Sequence, residues 1–106
     1  MADGRFREVR TAAAVSVILD GGATPVDMRD ATSFDAGHMA GAVNVAPLDM
    51  VMFPAVHSGI PMTATLVLYG AGGADANEVV AAFILESSGY TNVVYYTGGW
   101  ADWSAD

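Results

Sequence analysis

Thr65-Leu66-Val67-Leu68-Tyr69 is uncharged, β-branched and apolar, and predicts a strand buried on both faces. It runs directly into Gly70-Ala71-Gly72-Gly73-Ala74-Asp75. Beyond that loop, Val79-Val80-Ala81-Ala82-Phe83-Ile84-Leu85-Glu86 predicts a helix that reaches toward Gly89, its bulky positions 79, 80, 83 and 84 sharing one face. A strand, a glycine loop and a helix N-terminus together form an anion cradle, because unpaired N–H groups and the positive end of the helix dipole face the loop. In an open parallel sheet the carboxyl ends of the strands are also where ligands bind. A site, if the chain has one, is therefore expected at residues 70–75.

The same pattern extends to the rest of the chain. Met1 to Arg5 is read as a flexible tail, and Phe6 to Arg10 alternates apolar and charged residues like a half-buried edge strand. Thr11 can cap a helix from Ala12 to Leu19, stopped by Asp20-Gly21-Gly22. Thr24 to Arg29 predicts the second strand, with Pro25 at its start, and Asp30 to Gly37 a short helix. Ala42 to Ala46 reads as the third strand, Pro47 to Pro54 as a helix-like stretch and Ala55 to Met62 as a loop. Asn92 to Tyr96 is the fifth strand, and Gly98 to Trp103 begins a terminal helix or turn. Strands alternating with helical segments imply an α/β fold with a mostly parallel sheet covered on both faces. The expectation is a single domain over residues 1–106, either alone or as a module of a larger polypeptide.

Composition narrows the function classes. At 106 residues, 53% hydrophobic and with mean hydropathy +0.37, the chain can bury a core and is not disordered. No apolar run approaches bilayer length and residues 1–10 lack a signal-peptide core, so the cytoplasm or another soluble compartment is expected. A net charge of −8, with four Arg and no Lys, argues against nucleic acid and would steer a basic partner inward, although solubility explains it as well. The absence of cysteine excludes disulfides, thiolate metal sites and any persulfide or thioester on the chain. His38 and His57 lie far apart without a second ligand at helical spacing, so neither a metal nor a cofactor is expected.

The loop itself contains no Cys, Ser, Thr, Lys, Arg or His, and so neither a hydroxyl or thiol nucleophile nor a cation. Asp75 followed by Glu78 has the capping-box spacing, which makes helix capping the plain reading of both. A carboxylate that accepts the first helix N–H groups would fill the cradle from inside and oppose sulfate, phosphate or thiosulfate.

Four motifs taken together resemble the rhodanese family. They are Val26-Asp27-Met28-Arg29; Phe34 followed by Gly37-His38-Met39-Ala40-Gly41-Ala42-Val43-Asn44; Gly89-Tyr90-Thr91-Asn92-Val93 after the Leu66–Tyr69 strand; and Gly98-Gly99 with Trp103. The resemblance spans residues 6 to 104 and implies a rhodanese-like three-layer α/β/α sandwich around a five-stranded, mostly parallel sheet. It also implies a site at the loop after the fourth strand, where active members carry a persulfide-forming Cys. Aligned through Tyr69 and Gly73, Gly70 stands at the Cys position, Asp75 at the usual Arg and Ala76 at the usual Ser. Ser33 replaces a Glu that often pairs with the Arg of the second strand. Asp27, Arg29, His38 and Trp103 are then read as structural support: a local ion pair, an imidazole bonding backbone, and a core plug. Gly37, Gly41, Gly98 and Gly99 are assigned to positive φ or close approach. Trp100 could serve either core or site, and Met50 to Phe53, if exposed, would be a partner patch.

These features favour a domain without sulfurtransferase activity that binds a protein partner or small ligand through Gly70, Ala71, Gly72, Gly73, Ala74 and Asp75. The alternative is an enzyme that borrows a thiol from a partner, or that uses Asp75 and His38 directly. The two differ in geometry: a base must lie within about 3 Å of the proton it takes, directly or through water.

Overall fold

The computed structural model describes residues 7–72 and 76–105. The tail at 1–5, Gly73, Ala74 and Asp75 with its capping role lie outside the described residues. Five strands, β1 (Arg7–Val9), β2 (Thr24–Asp27), β3 (Val43–Asn44), β4 (Thr65–Tyr69) and β5 (Asn92–Tyr96), form one sheet in the order β1-β5-β4-β2-β3. Every pairing is parallel. Pro25 opposes Val67 on β4, but β3 joins only from Val26, so the missing N–H leaves no gap on that side.

Alternate side chains of the central strands serve opposite faces. Leu66, Leu68, Val93 and Tyr95 join Met50, Phe53 and the helix α4 (Ala76–Ser87) in one core. Val67, Tyr69, Val94 and Tyr96 join α1 (Ala12–Asp20) and the C-terminal helix α5 (Gly99–Trp103) in the other. Both sheet faces are thus covered, giving a three-layer α/β/α sandwich. The central strands lack polar alternation because neither of their faces meets water.

Capping follows local chemistry. Thr11 accepts from the Ala14 N–H at the start of α1, and Asp30 accepts from the Ser33 N–H at 2.8 Å at the start of α2 (Ala31–Ala36). Several boundaries differ from the sequence pattern. β2 stops at Asp27 and β3 spans only two residues, because Arg29 and Asn44 turn their polar groups to the strand ends. The segment after β3 is a 3-10 helix (Pro47–Met52) that continues into α3 (Phe53–Val56), so Ala55 and Val56 are helical rather than loop.

The four bulky positions of α4 divide: Val79 and Ile84 are half-buried and pack against the core. Ala81, Ala82 and Leu85 are fully buried, whereas Val80 and Phe83 are 47% and 51% exposed. The helix is apolar around much of its circumference, so periodicity left its phase open. Close approach to the sheet selects the alanine side, where small side chains fit.

Candidate functional site

Arg29 follows the carboxyl end of β2, near Tyr69 at the end of β4 and Trp100 of α5. Its guanidinium makes a two-pronged pair with Asp27, Nη2 to Oδ2 at 2.7 Å and Nε to Oδ1 at 3.1 Å. Asp27 is completely buried and Arg29 nearly so, with 9% of its side chain exposed. The Arg29 backbone N–H also donates to Asp27 Oδ1 at 2.8 Å, and Nη2 reaches the Gly37 carbonyl. Asn44 closes the strand end by donating to the carbonyls of Asp27 and Arg29. These contacts, led by the hydrogen bonds to Asp27, hold the guanidinium pKa above its ordinary value despite burial.

Trp100 lies over this pair. Its ring centroid is 4.8 Å from Arg29 Cζ, a cation–π contact, and the ring also stacks toward Tyr69. Gly37 permits the approach: a Cβ there would come within 3.1 Å of the indole. The Tyr69 oxygen accepts from the Met39 N–H at 3.0 Å, and burial, with the neighbouring Asp27, pushes its phenol pKa strongly upward.

The loop after β4 is held from behind by α5. Gly70 is buried; its carbonyl accepts from the Trp100 N–H and that of Ala71 from the Ala101 N–H, both at 2.9 Å. Gly99, at φ +61°, makes the junction, since a Cβ would lie 2.7 Å from the Gly70 oxygen. The first amides of α5 are therefore engaged by the loop's own carbonyls. No thiol exists anywhere in the chain to act at this position.

His38 is exposed; its Nδ1 lies 2.7 Å from the Phe34 carbonyl and its ring stacks on Phe34 at 3.8 Å. This ties the imidazole to the end of α2, its own segment, rather than across to the loop. Trp103 is half-buried with its edge toward Tyr96, whose hydroxyl bonds Asp102. Among the described residues no group of three or more His, Asp or Glu gathers as a metal site.

One cavity among the described residues is not lined by residues 70–72. That cavity, of about 380 Å³, opens instead beyond β2 and β3, between Arg29-Asp30-Ala31 and the 3-10 helix with α3. Asn44, Ala46, Asp49, Met52, Val56 and His57 contribute to it. The Met50 to Phe53 run divides: Met50 and Phe53 are buried, while Val51 and Met52 are 65% and 55% exposed. Sequence reasoning marked this run as a potential patch but did not pair it with Asp30, which is distant along the chain.

The family model for the rhodanese-like domain matches residues 11–106. The chain belongs to the rhodanese-like domain family. The rhodanese-like domain of an Anabaena protein, solved in solution, is 29% identical with a TM-score of 0.74, the match covering 92% of this chain and 73% of that one. A human single-domain sulfurtransferase at 23% identity gives a TM-score of 0.73, covering 93% and 96% of the two chains. A longer Bacillus anthracis protein matches at 20% identity and TM-score 0.72, covering 96% of this chain but 17% of that one. The last two likenesses concern the fold alone. Within this rhodanese-like fold the position after β4 is Gly70, and the chain contains no cysteine. Among the described residues no helix is long and apolar enough to cross a membrane.

Proposed function

We propose that this rhodanese-like domain works by binding a protein partner or small ligand and carries no sulfurtransferase activity of its own. The observation that carries this reading is the absence of cysteine from a chain whose fold would present one after β4. Persulfide chemistry needs a thiolate to accept the sulfur atom, and neither glycine nor a backbone amide can replace it. The rest of the described site agrees: Arg29, held against Trp100, is paired with Asp27, and the carbonyls of Gly70 and Ala71 are bonded to α5. The fold's occurrence as a small share of a longer bacterial protein makes fusion to other domains part of the same reading.

Amide chemical shifts during titration with thiosulfate, and separately with phosphate, test it. Gly70, Ala71 and Gly72 are expected not to move. Saturable shifts there at sub-millimolar thiosulfate would restore an enzymatic or anion-sensing role.

A further inference from the structure

The groove beyond β2 and β3 has a charge and shape of its own. Its lining includes the exposed apolar side chains of Met52 and Val56, the buried Phe53, and two exposed acidic residues, Asp30 and Asp49. Asp30 spends one oxygen on the Ser33 N–H, and Asp49 sits in the first turn of the 3-10 helix. Arg29, the only lysine or arginine among the lining residues, is committed to Asp27 and the Gly37 carbonyl. Arg7 lies on β1, the opposite edge strand of the sheet. An occupant thus meets a lining that combines exposed acidic residues with apolar ones.

We propose that this groove docks a peptide segment of a protein partner that inserts one arginine or lysine side chain flanked by apolar residues. The proposal rests on the binding reading above and names its occupant. The stem of such a side chain would pack on Met52 and Val56 while its head reached Asp30 and Asp49. A cavity of 380 Å³ is at the small end of ligand sites, with room for one long side chain. Met52 and Val56, which line the cavity, are exposed by 55% and 67%, and Val51 beside Met52 in the chain by 65%. A free small molecule would leave that surface uncovered, whereas a peptide's neighbouring residues would cover it.

The test is a titration of the labelled full chain, at low salt, with an acetylated and amidated peptide carrying one arginine between leucines. A second peptide has citrulline, the neutral near-isostere, in place of arginine. The expected result is saturable shifts at Asp49, Met52, Val56 and His57, with the citrulline peptide about tenfold weaker. Asp49→Asn and Asp30→Asn should each weaken binding by about threefold, and together by about tenfold. Asparagine also caps helices, so Asp30→Asn keeps α2, and thermal unfolding of both variants verifies the fold. Equal affinity for the two peptides, or no saturable shift at these amides, overturns the proposal. Peptide shifts confined to Gly70, Gly72 and Trp100 overturn it while leaving the binding reading in place. Shifts at the groove that grow with protein concentration alone would make a second copy the occupant and overturn it as well.

Discussion

The Asp27–Arg29 pair shows how one fully buried charge fixes the strand ends around it. Asp27 receives three N–H donors of Arg29, from the backbone, Nε and Nη2, and the guanidinium is further held beneath Trp100. Neutralising the carboxylate leaves a buried cation without its partner, so Asp27→Asn should lower the unfolding free energy by about 3 kcal/mol, read from urea denaturation. A change near zero would mean that water reaches the pair. Gly99 is the other residue on which the site turns. Gly99→Ala adds a Cβ against the Gly70 oxygen at positive φ, and should cost about 2 kcal/mol by the same measurement while freeing α5 from the loop. Both positions were legible in the sequence as family motifs. What the sequence did not show was their link through Trp100, because the tryptophan lies some seventy residues from Arg29 in the chain.

At the scale of elements, legibility followed burial. β4 and β5 coincide with their sequence patterns, because strands buried on both faces carry an unbroken apolar signal. α4 is legible as a helix, but its four bulky positions divide, Val79 and Ile84 packing on the core while Val80 and Phe83 are exposed, since apolar residues surround it and only the sheet decides which side packs. The face can be checked by substitution. Val80→Ser should change stability by no more than about 0.5 kcal/mol, whereas Ala82→Val, overpacking the interface with the sheet, should cost about 2 kcal/mol. The reverse order would place Val80 in the packed face and contradict the packing described here. The groove was the least legible feature: Asp30, which caps α2, is distant along the chain from Asp49 and Val56 in the 3-10 helix and α3, and only the fold brings the two segments together.

At the scale of the molecule, the tyrosines report how firmly the two cores are closed. Burial raises the phenol pKa of Tyr69, Tyr90 and Tyr96 above the ordinary 10.0, with hydrogen bonding to Asp102 adding to the rise at Tyr96. A raised phenol pKa favours the neutral form, so the associated stability is fully present below pH 10 and is lost as pH climbs through the folded-state values. Phenolate absorbance should therefore lag behind free tyrosine on alkaline titration and appear together with the loss of circular dichroism. Free titration at the ordinary value with the fold intact would contradict the packing described here. The same closed architecture, with Gly70 directly after β4 and no cysteine in the chain, underlies the functional reading. That reading is tested most directly by thiocyanate formation from thiosulfate and cyanide, measured with the purified chain and with a reductant or a thiol acceptor added. The prediction is a rate indistinguishable from buffer under every condition. Sustained turnover that scales with protein concentration would show that the chain transfers sulfur without a cysteine, and would contradict the account.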